Sequence, residues 1–171
     1  ESINEVGFFE SRHHDKWLGD GVYFFINGLK DPLESALQFI EDERFREAGL
    51  GNVSIDEDVC VLKVEINVDN DKYIDLDSIQ GIELFNSWRE EIISKILSEG
   101  KKPVNELKDY DLLNKMRDYI GVEFVKKSLF IKFGQQRSLN NKLSSFIPNV
   151  TIFVVNNPSY NIHQRSIVKV L

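Results

Sequence analysis

The 171-residue sequence predicts an α+β fold in which helices pack on a split antiparallel β-sheet. Three observations carry that expectation. The elements run strand, helix, strand, two helices and then several strands, without the regular strand–helix alternation of a doubly wound parallel sheet. VCVLKVEINV (59–68) alternates apolar and polar residues, the pattern of a half-buried strand. The last third is dominated by short runs of β-forming residues.

Each element follows from local chemistry. SINEV (2–6) reads as the end of a helix closed by Gly7, and Phe8 and Phe9 begin an extended piece. The polar run SRHHDK (11–16) is a loop, and GVYFFI (21–26) a short strand ended by Asn27 and Gly28. Asp31 caps the next helix, Pro32 suits its first position, and Glu34 sits three residues past the cap. Leu33, Ala36, Leu37 and Ile40 then recur at helical spacing, and the helix fades near Ala48 and Gly49. In the strand over 59–68, Cys60, Leu62, Val64, Ile66 and Val68 share one face. A long helix over 78–98 carries the stripe Phe85, Trp88, Ile92, Ile96. A second, over 105–119, turns Leu107, Tyr110, Leu113 and Met116 inward. Strands are expected at VEFVK, SLFIKF (128–133), VTIFVV (150–155) and SIVKV (166–170), with PSYN as a turn and a polar loop over 134–145.

Length points to a single domain over 1–171 with a real core. The chain starts at Glu1 with a segment that reads as mid-helix, so a preceding segment, including a first strand, is expected. A net charge of −7 argues against a broad phosphate-binding face. Cys60 is the only cysteine, which excludes an intrachain disulfide and a cysteine-based zinc site. No apolar run reaches the roughly 18 residues of a membrane span, and no signal peptide is visible. These features predict an intracellular, cytoplasmic protein without a membrane partner.

The most specific stretch is KWLGDGVYFF (16–25). A Gly-Asp-Gly turn stands directly before an aromatic strand. One reading is packing alone, a turn leading into a core strand. The other is a ligand site. Glycines admit close approach to the backbone, Tyr23 offers a flat ring for stacking, and Trp17 offers a second aromatic wall. That combination suits a nucleotide or nicotinamide ring. No Gly-x-Gly-x-x-Gly and no Walker-type phosphate loop occurs, so a dinucleotide here would not occupy a Rossmann site.

ESINEVGFFES followed by WLGDGVYFF resembles the front of the ADP-ribosyltransferase fold. It is most similar to bacterial proteins related to the poly-ADP-ribose polymerase branch. In that group a first strand carries His-Gly-Thr, a helix and a Gly-Phe pair follow, and then Trp-Leu-Gly-x-Gly-Val-Tyr-Phe-Phe. The likeness covers residues 1 to about 28 and extends to the capped helix. SFIPNVTIFVVNNP (145–158) resembles a late segment of the group. The resemblance implies NAD as co-substrate, transfer of ADP-ribose to a protein or nucleic-acid target, and departure of nicotinamide. It implies that Tyr23 stacks on nicotinamide, that Gly19, Asp20 and Gly21 shape the adjoining turn, and that Trp17 walls the pocket. It also carries the suggestion of a toxin or phage-defence effector, with an antitoxin as a possible partner. The alternative is a catalytically silent domain of the same fold that binds a nucleotide or a protein.

The likeness has departures. The first-motif His is not in this sequence; His13 and His14 lie in a polar loop and lack a third metal ligand nearby. Relatives place a Glu or Gln at the start of a late strand. One register puts Thr151 there and another puts Gln164 there, and Gln164 is preferred because a threonine cannot replace a carboxylate at the ribose. Gln135 and Gln136 read as solvated, and Glu123 as a surface residue of an edge strand. Asp69, Asp71, Asp75 and Asp77 resemble a calcium loop in composition but lack its Gly and its terminal Glu, so no metal is expected. Lys126, Lys127, Lys132, Arg137 and Lys142 make the last third basic, which leaves a nucleic-acid contact or a plain polar sheet face open.

Overall fold

The computed structural model describes residues 8, 17–49, 60–100, 107–133, 145–156 and 162–170, with 42–49, 60 and 162–170 as backbone alone. The strands are β1 (Val22–Phe25), β2 (Cys60–Ile66), β3 (Tyr73–Asp75), β4 (Phe124–Leu129), β5 (Val150–Val155) and β6 (Ile162–Val170). The helices are α1 (Pro32–Gly49), α2 (Ile79–Ser98) and α3 (Asp109–Ile120). The protein is therefore α+β. One sheet has the order β1-β5-β4-β3, and β2 and β6 form a second, two-stranded sheet.

The four-stranded sheet is mixed. Gly21 lies against Val154 and Asn156 while the Ile26 amide donates to the Thr151 carbonyl, so β1 and β5 run antiparallel. The Asn149 amide meets the Leu129 carbonyl and the Asn156 amide meets Glu123, so β5 and β4 are antiparallel too. β3 and β4, however, are parallel, with Tyr73 opposite Phe124 and Asp75 opposite Lys126. The sheet thus departs from the all-antiparallel expectation. Parallel neighbours need a long crossover, and α2 and α3 supply it between β3 and β4.

The chain divides into two compact units. One comprises Glu1–Phe24, Asn67–Lys127 and Phe153–Asn161; the other comprises Phe25–Ile66, Ser128–Ile152 and Ile162–Leu171. In the first, Ile74, Phe124, Val125, Val154 and Val155 of the sheet and Leu112, Leu113 and Met116 of α3 are buried. The Phe124 and Phe153 rings stack 6.0 Å apart. α3 starts where the Asp111 carboxylate accepts the Lys108 amide at 3.2 Å, and it ends at Gly121. Ser78 caps α2, accepting the Gly81 amide at 3.0 Å. Of the expected α2 stripe, Phe85 is buried and Trp88, Ile92 and Ile96 are half-buried.

The acidic run 68–77 is structural. Asp69 accepts the Asp71 amide at 3.1 Å, opening a single 3-10 turn, and β3 follows at once. Asp75 pairs with Lys126 Nζ at 2.7 Å and accepts the Asp77 amide at 2.9 Å. Burial pushes its carboxyl up, but the Lys126 ammonium and the Asp77 N–H outweigh this and hold it below the usual aspartate range. Among the described residues no group of three or more metal-ligating side chains is present. Glu123 does not sit on an edge strand. Its amide donates to the Lys72 carbonyl, its carbonyl accepts from Asn156, and its carboxylate meets Lys72 Nζ at 2.9 Å.

In the second unit, Asp31 caps α1 as its sequence requires, accepting the Glu34 amide at 2.9 Å. The buried Ser35 hydroxyl donates to the Asp31 carbonyl, and the Phe25 and Phe39 rings meet edge to face at 5.9 Å. β2 and β6 are antiparallel from Cys60–Val170 to Ile66–Ile162, with register shifts after Val61 and Glu65. Leu62, Val64 and Ile66 are half-buried while Lys63 and Glu65 are exposed, as the alternation requires; Val68 lies past the strand and is exposed. VEFVK and SLFIKF are not two strands. One strand, β4, covers 124–129, and 130–133 follow it without regular structure. The expected helix end at 2–6, His13 and His14, PSYN, Gln135, Gln136, Arg137 and Lys142 all lie outside the described residues.

Candidate functional site

The turn and the strand residues 22–24 that follow it lie in the first unit, and β1 is at one edge of the sheet. Leu18 is buried, and its neighbour Trp17 is 46% exposed. Gly19 follows with φ +84°, a left-handed conformation that costs a residue with a Cβ free energy. Gly21 has φ +151° and no room beside it. An added Cβ would stand 2.6 Å from Val154 Cγ1 and 2.9 Å from the Val155 carbonyl oxygen.

Tyr23 bends back over this turn. Its hydroxyl donates to the Gly19 carbonyl at 2.7 Å and accepts the Leu18 amide at 3.1 Å. One side chain therefore uses its donor and one of its acceptor lone pairs to close a five-residue loop. The residue as a whole is half-buried. Burial pushes the phenol up to about 12; the Leu18 N–H pulls the other way, and Tyr110 and Asp20 add to the rise. The hydroxyl stays protonated, and remains a donor, throughout the neutral range.

The turn is held from its other side by α3. The Asp20 amide donates to Asn114 Oδ1 at 2.8 Å. The Tyr110 hydroxyl donates to Asp20 Oδ1 through a short hydrogen bond, and Arg117 Nη1 lies 3.8 Å from Asp20 Oδ2. Burial, followed by the bond to Asp20, raises the Tyr110 phenol above its ordinary value. An added Cβ on Gly19 would stand 2.8 Å from Asn114 Oδ1. The space left by both glycines is thus filled by the chain's own atoms. Beside this filled turn Tyr23 is half-buried and Trp17 is 46% exposed.

A titration checks this arrangement. The folded Tyr23 phenol titrates above its unfolded value of 10.0, so its contribution to stability is complete below pH 10 and disappears as pH rises toward 12. Absorbance at 295 nm should show Tyr23 among the tyrosines that ionise late, and Tyr23→Phe should shrink that late component by one tyrosine. A wild-type curve in which every tyrosine titrates at its ordinary value would contradict the burial of the Tyr23 hydroxyl.

The other expected residues belong to the second unit. Thr151 on β5 is 3% exposed; its hydroxyl accepts the Leu29 amide at 3.3 Å and lies 3.1 Å from Ser128 Oγ. Its side chain also fills the space above Gly28, where an added Cβ would come within 2.6 Å of Thr151 Cβ. Gln164 lies on β6 opposite Glu65. Trp17, Gly19, Asp20, Gly21 and Tyr23 are thus brought together, and Thr151 and Gln164 are placed on other strands. The sequence reading missed the α3 side chains. Their signal was Tyr110, Asn114 and Arg117 recurring at helical spacing on a helix otherwise committed to the core.

Elsewhere in the first unit, a groove of about 360 Å3 is lined by Trp88, Ile92, Lys95, Ile96, Lys115 and Tyr119 of α2 and α3 and includes no residue of the turn. Among the described residues no helix is long and apolar enough to cross a membrane.

The fold and this site define an α+β protein with a tyrosine-closed Gly-Asp-Gly turn at a sheet edge. Compared with known proteins, the chain matches no family model, no curated protein and no solved structure.

Proposed function

We propose that this chain is an ADP-ribosyltransferase-like domain that binds NAD as co-substrate and transfers ADP-ribose to a macromolecule, a protein or a nucleic acid. The observation that carries the reading is the half-buried Tyr23 side chain fixed over the Gly-Asp-Gly turn. Its hydroxyl is locked to Gly19 and Leu18, and Trp17, next to Leu18 in the chain, is 46% exposed. A ring fixed this way costs little further entropy when a flat pyridine settles on it. The bond from the nicotinamide nitrogen to ribose C1′ breaks, and its electron pair leaves with nicotinamide. C1′ passes through an oxocarbenium-like state, takes the target's nucleophile, and the nucleophile's proton is lost to solvent. In this reading the protein acts in the cytoplasm, as a toxin or defence effector whose partner would be an antitoxin.

Incubation with NAD labelled in both halves tests the reading. Release of free nicotinamide with ADP-ribose label on a macromolecule supports it. Saturable NAD binding without nicotinamide release would replace it with a silent binding module of the same fold. Absence of both would remove NAD from the account.

A further inference from the structure

The Gly-Asp-Gly turn is gripped from two sides, and only one grip is local. Tyr23 closes the loop on itself; the second grip comes from about ninety residues further along the chain. Tyr110, Asn114 and Arg117 lie at spacings of four and three on α3, so they form one stripe along the helix. Each takes a different part of Asp20. Asn114 accepts its amide, Tyr110 donates to Oδ1, and Arg117 faces Oδ2. The carboxylate of Asp20, which the resemblance gave only as part of the turn beside the ring, has its two oxygens turned toward the helix. α3 is a rigid base for this, because Leu112 and Met116 anchor it in the core and Leu113 packs beside the stripe, all with 3% exposure or less. Arg117 is itself steadied by Asp118, whose Oδ1 lies 3.0 Å from its Nε.

We propose that Tyr110, Asn114 and Arg117 are positioning residues that act through Asp20 to fix where Trp17 and Tyr23 present their rings. The proposal rests on the reading of Tyr23 as the nicotinamide platform. A platform adjoining a turn with two glycines would otherwise wander, because glycine restricts the backbone least of all residues. Misplacement by about 1 Å costs a reaction up to roughly a hundredfold in rate. The helix removes that freedom without touching the substrate. Asp20 is then the joint between helix and site.

The test uses the whole chain in a Trp88→Phe background, in which Trp17 is the only tryptophan. Tyr110→Phe and Asn114→Ala are made in that background. The expected result has three parts. Trp17 fluorescence anisotropy falls and acrylamide quenching rises. The kcat for nicotinamide release drops about tenfold, while KM changes by less than roughly threefold. The melting temperature falls by only a few degrees. Melting temperatures that fall while Trp17 emission and kcat stay put would make the stripe merely structural and overturn the proposal. If the parent chain releases no nicotinamide, the NAD reading fails by itself. The Trp17 signals then still decide whether α3 sets the placement of the turn.

Discussion

If the chain releases nicotinamide from NAD as proposed, Tyr23→Ala is expected to lower that release by roughly fiftyfold, and to weaken NAD binding measured by calorimetry. Two losses combine. The stacking face goes, worth about 1 kcal/mol beyond its buried area, and the turn loses the hydroxyl that holds Gly19 and Leu18. Tyr23→Phe separates them. It keeps a ring to stack on but leaves the Leu18 amide and the Gly19 carbonyl to water, so it should cost about tenfold in rate and roughly 1–2 kcal/mol in stability. The order wild type, Phe, Ala is the diagnostic result. Equal release by the wild type and the Ala variant would remove Tyr23 from the chemistry, whatever happened to the melting temperature.

Gly21→Ala carries the second large effect, on stability. Its φ of +151° penalises a residue with a Cβ by about 1–3 kcal/mol. The added methyl would also press on Val154 Cγ1 at 2.6 Å, Asn156 Oδ1 at 2.7 Å and the Val155 carbonyl oxygen at 2.9 Å. A side chain can turn away, but the Val155 carbonyl belongs to β5, and moving it would strain the sheet. Overpacking of this kind adds about 1–3 kcal/mol, for a total near 4 kcal/mol. For a chain of this size that is a fall of roughly 10 °C in the thermal transition. Val154→Ala in the same background should recover only part of the loss, since the carbonyl stays. A variant that melts within a degree or two of the wild type would mean that β1 and β5 do not approach at Gly21 as described.

The sequence was most legible where the signal is local. Asp31, Pro32 and Glu34 announce α1, and the Asp31 carboxylate does cap the Glu34 amide. The alternation along 60–66 gives β2 with Lys63 and Glu65 outward, and apolar spacing gives α3 with Tyr110, Leu113 and Met116 inward. β3 was missed for a physical reason. It is three residues long, inside a segment whose aspartates read as a solvated turn, and it is held by a partner about fifty residues away. Its parallel direction depends on the crossover through α2 and α3, which no local pattern encodes.

The same division runs through the site. Residue order alone determined that two glycines bracket an aspartate before an aromatic strand, because turn chemistry and β propensity act over a few neighbouring residues. Only the tertiary structure decided what fills the space beside those glycines: Asn114 at Gly19, and Val154 with its neighbours at Gly21. It also decided that the Asp20 carboxylate serves Tyr110 and Arg117. Hydrogen bonds and van der Waals contacts depend on distance in space, and folding brings residues 20 and 110 within hydrogen-bonding reach.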